Sequence, residues 1–179
     1  MSNPTALLII DVQVGNFEET APVYRGTELL SKISKLIDRA RAAGAVLVYV
    51  QHCSPEGAVD ERGASGWKIH PAVAPIAGDV VIEKSYPDAF QDTDLQQKLD
   101  SRGIERLVIT GLQTEYCIDA TCRRAYNLGY NVILVKDAPS TWNTDLLVAP
   151  DVIAHHNKVL GGWFAQLKEA SEIQFDAAE

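Results

Sequence analysis

Hydrophobic residues along the chain follow two patterns, short unbroken runs and runs with helical spacing. Short unbroken apolar runs are typical of strands that are buried on both faces of a parallel sheet. These runs predict strands over 7–10, 46–50, 80–82, 107–110, 132–135 and 173–175. Helical spacing predicts helices over 26–43, between Thr93 and Gly103, between Thr114 and Gly129, and from Pro150 onward.

Polar residues mark where the second and third predicted helices begin. Thr93 with Gln96 fits a capping box, in which two side chains satisfy backbone amides at the helix start. Thr114 is placed to cap the next helix, which makes Cys117 the third residue of that helix. Pro150 suits the first position of the last helix, because proline lacks an N–H that would go unpaired there.

Strands and helices alternate along the chain. Such alternation favours one α/β domain over residues 1–179, a Rossmann-like three-layer α/β/α sandwich around a mostly parallel sheet of about six strands. Residues 52–79 contain several glycines and prolines and no clear period, so we predict a long loop there. A loop of that length inside a domain is usually functional.

Charge and composition narrow the range of partners. The 179 residues carry 16 Lys and Arg against 24 Asp and Glu, a net charge of −8 that disfavours nucleic-acid binding. The longest apolar runs, 6–10 and 45–50, are far shorter than the ~20 residues of a membrane span. No signal peptide is visible, and the three cysteines form no disulfide framework. We therefore expect a cytoplasmic protein that binds neither membrane nor nucleic acid.

Reactive side chains stand where three of the predicted strands end. Asp11 follows the first strand, Lys84 the third, and Cys117 lies in the first turn of the helix after the fourth. The carboxyl ends of parallel strands meet at one edge of a sheet, where ligands bind. The helix dipole and Lys84 favour a thiolate, and Asp11 can accept the thiol proton. A core cysteine, a capping aspartate and a surface lysine would explain each residue singly, but their coincidence at one edge favours a reactive site.

The chain resembles the isochorismatase-like cysteine hydrolases, a superfamily that includes nicotinamidases and N-carbamoylsarcosine amidase. The resemblance rests on LLIIDVQ at 7–13, VIEKSYPDAFQDTDL at 81–95, VITGLQTEYCIDATCRRAYNLGY at 108–130 and VKDA at 135–138. It implies a catalytic triad of Asp11, Lys84 and Cys117 on a Rossmann-like fold. It also implies a cis peptide between Leu112 and Gln113, an oxyanion hole made by the backbone amides of Gln113 and Cys117, and a homodimer or homotetramer.

After the second strand the sequence departs from the metal-dependent members of that superfamily. Their Asp-x-His pair is absent, because this stretch reads Gln51-His52, and His52 and His70 remain without a carboxylate beside them. Two separated histidines make a poor metal site, so we expect no metal and no other cofactor. The resemblance also implies that isochorismatases of siderophore pathways lack the nucleophilic cysteine, so Cys117 disfavours their reaction. Nicotinamidase and isochorismatase are kept as alternative enzymes.

These residues predict hydrolysis of an amide-like C–N bond, in an amide, ureide or carbamate of a small molecule, through a thioester on Cys117. The residues expected to bind this substrate are Gln13, Phe17, His52, Trp67, Tyr86, Phe90 and Tyr116. A phospho-receiver module is one non-enzymatic alternative. It needs its aspartate after the third strand and its lysine after the fifth, the reverse of Lys84 and Asp137. A small-molecule or thiol-redox binder without catalysis is the other alternative.

Overall fold

Six strands form the centre of the structure, a computed structural model that describes residues 4–175. In chain order they are β1 (Thr5–Ile10), β2 (Val46–His52), β3 (Val80–Lys84), β4 (Arg106–Leu112), β5 (Asn131–Ser140) and β6 (Gln166–Lys168). The helices are α1 (Gly26–Ala42), α2 (Leu95–Asp100), α3 (Asp119–Asn127) and α4 (Ala149–Gly161). Single helical turns lie at Val14–Phe17, Pro71–Val73, Thr114–Ile118 and Ala170–Glu172.

The strand order across the sheet is β3-β2-β1-β4-β5-β6, and each neighbouring pair is parallel. The chain begins at the centre, builds outward through β2 and β3, and then returns to the other side of β1 to add β4, β5 and β6. Where the direction reverses, between β1 and β4, the connections at the carboxyl ends diverge and leave a crevice for ligands. The predicted Rossmann-like α/β fold is confirmed, with a sheet that is parallel throughout rather than mostly parallel.

The centre of the sheet is buried on both faces, to which successive side chains of a strand point in turn. All six residues of β1 are buried. Ala6, Leu8 and Ile10 pack into the core shared with α2 and α3, whereas Leu7 and Ile9 pack into the core shared with α1. Helices thus cover the sheet on two sides, which confirms the three layers. In the part of the chain that is described, no helix is long and apolar enough to cross a membrane.

The predicted strand over 173–175 is wrong. The sixth strand is β6, which pairs with β5 around Leu167. Ile173 is instead buried in the α1-side core, and Arg39 donates a hydrogen bond to its carbonyl at 3.2 Å. A short apolar segment carries no period, so its composition does not distinguish a strand from a segment that closes the core.

The predicted capping box at Thr93 is also wrong. The helix α2 begins at Leu95. The Thr93 hydroxyl donates to the Ala89 carbonyl at 2.7 Å and accepts from the Leu95 N–H at 3.3 Å. It therefore ties the preceding turn to the first helical residue, in place of a reciprocal pair with Gln96.

Gly111 is expected to be essential for folding. It pairs with Ile10 at φ +122°, and a Cβ added to it would lie 2.1 Å from the Ile10 carbonyl oxygen. Because this clash is with backbone, we expect Gly111→Ala to lower the free energy of unfolding by at least about 4 kcal/mol. In the control Gly129→Ala, φ is also positive (+92°) but the surrounding space is open, so about 1–2 kcal/mol is expected. Urea denaturation measures both losses, and equal losses would contradict the steric argument.

Candidate active site

The ends of β1 and β3 and the segment after β4 bring Asp11, Lys84 and Cys117 into contact. The Lys84 Nζ lies 2.7 Å from Asp11 Oδ2 and 3.2 Å from Cys117 Sγ. The Lys84 side chain is fully buried and that of Asp11 is 7% exposed. The structure therefore brings together the three residues on which the predicted triad rests.

Asp11 occupies a sharp turn as the chain leaves β1. Its φ is +53°, a conformation that aspartate tolerates better than most residues. Its N–H donates to the Val50 carbonyl at 2.9 Å, and its carbonyl accepts from the Asn16 side chain at 2.8 Å. Backbone contacts on both sides thus fix the position from which the carboxylate reaches Lys84.

Lys84 has a third partner that the sequence did not predict, His52. The Lys84 Nζ lies 3.0 Å from His52 Nδ1. An ammonium carries three N–H groups and accepts nothing, so one N–H goes to each of Asp11, Cys117 and His52, and Nδ1 is the unprotonated ring nitrogen. Burial and then Lys84 hold the pKa of His52 below its usual value. The imidazole is therefore neutral, with its proton on Nε2.

Burial determines the protonation state of Cys117. Burial and, next, the Asp11 carboxylate raise the pKa of its thiol to about 12, against the opposing effect of Lys84. Burial lowers the pKa of Lys84, but Asp11 and Cys117 outweigh that effect, so this pKa lies above its usual value. These shifts favour an ammonium, a carboxylate and a neutral thiol in the resting site, against the expectation that a thiolate is favoured there.

Raised pKa values make the protein less stable at alkaline pH. Burial raises the pKa values of Cys117 and Tyr49 to about 12, and it raises those of Cys122 and Tyr130 as well. The unfolded chain releases these protons at lower pH than the folded protein does. The stabilisation that the four protonated groups give the fold is therefore complete below their pKa values in the unfolded chain, and it is lost as the pH rises above those values. We expect the free energy of unfolding to fall by about 2 kcal/mol or more between pH 8 and pH 10. Urea midpoints across this range check it, and a constant midpoint would contradict it.

The junction from β4 to α3 contains a cis peptide between Leu112 and Gln113, which confirms that prediction. Thr114 does not cap the helix, because its hydroxyl donates to the Ser140 carbonyl at 3.0 Å. A π-helical turn, Thr114–Ile118, instead leads directly into α3, and Cys117 is its fourth residue. The helical segment therefore begins where it was predicted, but the prediction that Thr114 caps it is wrong.

A pocket of about 300 Å³ opens above Cys117. Its lining contains Asp11, Gln13, Asn16, His52, Ser54, Asp60, Pro87, Leu112, Gln113, Tyr116, Cys117 and Trp142. Three of the residues predicted to bind the substrate, Gln13, His52 and Tyr116, are among them. Gln113 and Cys117, whose amides were predicted to form an oxyanion hole, also stand at this wall.

Four residues predicted to bind the substrate lie outside this lining. Phe90 is buried in the core, where its ring stacks on Tyr130 at 5.9 Å, so its prediction is wrong. Phe17 packs against the α1-side core, and Tyr86 is 43% exposed. The Trp67 indole donates to Cys53 Sγ at 3.2 Å. Aromatic residues near the end of a strand serve packing as readily as binding.

Sequence reasoning missed Trp142 because it ended the fifth strand too early. The strand β5 continues to Ser140, so the residue that reaches the pocket is Trp142. Asp137, predicted to follow the strand, lies within it, and Lys32 pairs with its carboxylate at 2.9 Å. The long loop contributes Ser54 and Asp60 to the pocket, and its functional role stays a prediction.

Gln13 holds the long loop against the site. Its amide nitrogen donates to the carbonyls of His52 and Trp67 at 3.0 and 2.9 Å, and its Oε1 accepts from the His52 N–H at 2.8 Å. Gln51 also donates to the Trp67 carbonyl, at 2.7 Å. This arrangement makes Gln13 a positioning residue for His52 as well as a residue of the pocket wall.

Among residues 4–175, one group of side chains could hold a metal, since single ligand atoms of Asp11, His52 and Cys117 lie within 4.8 Å of one another. Lys84 Nζ already contacts one atom of each of them. The ammonium therefore takes the central position that a divalent cation would need, and its charge would repel one. Outside this group, His70 Nδ1 accepts from the Ala72 N–H at 3.2 Å. While Lys84 is in place, the donor set does not fit a metal ion.

The hydrolysis predicted from the sequence is therefore expected to survive the removal of divalent metals. Dialysis against EDTA should leave the rate of hydrolysis of a good substrate within about twofold, because the ammonium supplies the positive charge at the site. Assays with added Zn²⁺ or Mn²⁺ complete the measurement. A large loss on dialysis that either ion restores would contradict the assignment of this charge to Lys84.

A carboxylate, an ammonium and a thiol meet at the switch point of a Rossmann-like sheet, where α/β proteins bind their ligands, and this cluster is the candidate active site. The Isochorismatase domain family matches residues 5–149, and the chain belongs to this family of hydrolases.

The comparisons agree with this assignment in both sequence and fold. Streptothricin hydrolase from Streptomyces noursei is 37% identical over 147 residues, which are 82% of this chain and 52% of the relative. This chain thus spans about half the length of that relative. The crystal structure of an isochorismatase-type hydrolase from Oleispira antarctica superposes with a TM-score of 0.89 at 36% identity, covering 96% of each chain. N-carbamoylsarcosine amidase from Thermoplasma acidophilum gives a TM-score of 0.82 at 25% identity, covering 97% of this chain and 99% of the amidase.

Proposed function

We propose that this protein hydrolyses an amide-like C–N bond of a small molecule, in an amide, ureide or carbamate, through a thioester on Cys117. The observation that carries the proposal is the bridge from Lys84 Nζ to Asp11 Oδ2 and Cys117 Sγ, at 2.7 and 3.2 Å, beneath a pocket of small-molecule size. The names of two relatives, a streptothricin hydrolase and an N-carbamoylsarcosine amidase, support this class of reaction.

In the first half of the reaction, Cys117 Sγ attacks the carbonyl carbon while its proton passes to Asp11. The raised pKa of the thiol means that this transfer accompanies the attack rather than precedes it. The negative charge develops on the carbonyl oxygen, which we place against the backbone amides of Gln113 and Cys117, each worth a few kcal/mol in such a position. Protonated Asp11 then donates its proton to the leaving nitrogen, and the C–N bond breaks.

In the second half, water attacks the thioester and Asp11 takes its proton. The acid product leaves, the sulfur regains a proton, and the site returns to its resting form. Lys84 stays an ammonium throughout, because its raised pKa keeps it charged and Asp11 and His52 keep it in place. Its constant charge stabilises the sulfur whenever the proton is on Asp11.

Trapping of the acyl-enzyme tests the proposal. The protein is mixed with a panel of amides, ureides and carbamates, quenched in acid and examined by mass spectrometry, with hydrolysis followed in parallel. We expect an acyl group on the peptide that contains Cys117 and loss of both signals in Cys117→Ala. Cys53→Ala is the control, since it removes a partly exposed thiol that lies outside the triad. Hydrolysis that persists in Cys117→Ala would overturn the proposal.

A further inference from the structure

The pocket above Cys117 contains an acidic side chain with no partner. The Asp60 carboxylate makes no hydrogen bond or ion pair with any residue between 4 and 175, although its backbone carbonyl accepts from the Ser54 N–H at 3.2 Å. Arg62, two residues further along the loop, is already paired with Glu83. The residues that form the pocket wall include no arginine or lysine, and Asp11 is neutralised by Lys84.

The charge of Asp60 reaches the reactive end of the pocket. Burial and Lys84 lower the pKa of His52, and the carboxylates of Asp11 and Asp60 act in the opposite direction. His52 is the residue that contacts Lys84 Nζ at 3.0 Å. Asp60 therefore lies close enough to influence His52, which contacts Lys84 beside Cys117. His52 stays neutral, so it does not compensate the charge of Asp60.

Two aromatic side chains also line the pocket. Tyr116, 57% exposed, and Trp142 both line it. Aromatic faces attract cations, by about 0.5–1 kcal/mol at exposed sites. The net charge of −8 adds a field of the same sign as Asp60, which favours the approach of cations.

We propose that Asp60 selects the charge of the substrate, and that the molecule hydrolysed carries a cationic nitrogen, an ammonium or an amidinium, in addition to its scissile C–N bond. The inference rests on the proposed function in placing this molecule over Cys117. The cationic group lies beside the Asp60 carboxylate and faces Tyr116 and Trp142. An anionic substrate of the same size would meet Asp60 with no cation in the pocket wall to offset it.

The test uses Cys117 as a reporter and needs no turnover. Two methanethiosulfonates with permanent charges, the 2-(trimethylammonio)ethyl and the 2-sulfonatoethyl reagents, each form a disulfide with the Cys117 sulfur and release methanesulfinate. Peptide mapping gives the labelling rate at Cys117, and the cation-to-anion ratio is divided by the same ratio for free 2-mercaptoethanol. We expect a corrected ratio of about tenfold in favour of the cation, which Asp60→Asn lowers about fivefold.

Two further variants separate the pocket charge from the charge of the whole loop. Asp60→Glu keeps the carboxylate and is expected to retain the high ratio. Glu56→Gln removes an exposed acid from the same loop outside the pocket and is expected to leave the ratio unchanged. A ratio of one or less in the parent, or a ratio that Asp60→Asn does not lower, overturns the inference. Neither result touches the proposed hydrolysis, which fails only if activity survives Cys117→Ala.

Discussion

Asp11→Asn is expected to lower kcat by at least about 10²–10⁴-fold, the usual contribution of general acid–base catalysis. An amide cannot take the Cys117 proton, return it to the leaving nitrogen or activate water, so both halves of the reaction lose their proton carrier. Asparagine has the shape of aspartate and also tolerates the positive φ of this position, +53°. The chain path at the end of β1 is therefore expected to stay as it is.

Asp92→Asn is the matched control for this variant. Asp92 is also an aspartate at positive φ, +54°, but it is exposed and outside the pocket lining. Both variants remove one negative charge and place asparagine in the same backbone conformation. Measurement of kcat with circular dichroism and melting temperature is expected to show loss of activity in Asp11→Asn alone. If Asp11→Asn kept most of its activity with an intact fold, the proton carrier would be another group, and His52 is the next candidate.

The sequence predicted those residues of the site whose positions follow from where a strand ends. Asp11 immediately follows the buried residues of β1, Lys84 is the last residue of β3, and Cys117 lies soon after β4, so the topology of a parallel sheet was enough to bring them together. The same logic failed for Asp137, because β5 does not end with its apolar run but continues for five residues to Ser140. Polar residues inside a strand give no signal that the strand goes on.

Interactions across the pocket could not be predicted from spacing. His52 accepts from Lys84 at the end of β2, where Gln13 bonds to the backbone of His52 from across the pocket. The protonation of Cys117 depends on how deeply the thiol is buried, and the sequence indicated its helix and its neighbours but not that burial. Helix dipole and lysine favoured a thiolate, and desolvation together with Asp11 reverses that balance.

Lys84→Met is expected to remove activity and also to destabilise the protein by about 3–5 kcal/mol, the range for losing one partner of a buried ion pair. Methionine fills the space of the lysine stem but leaves the Asp11 carboxylate without its cation. No other group stabilises the second oxygen of that carboxylate, because Asp11 Oδ1 is already buried without a hydrogen-bond partner in residues 4–175. Urea denaturation measures the loss of stability, and the rate of hydrolysis measures the loss of function.

The double variant Asp11→Asn/Lys84→Met separates the two effects of Lys84. It removes both charges, so the buried carboxylate that destabilises Lys84→Met no longer exists, and we expect it to regain about 2 kcal/mol or more of the lost stability. It has neither the proton carrier nor the ammonium, so it is expected to remain inactive. If the double variant were no more stable than Lys84→Met, the destabilisation would come from lost packing around the lysine stem. If Lys84→Met kept its activity, the positive charge would not be needed beside the sulfur, and the proposed mechanism would be wrong at that step.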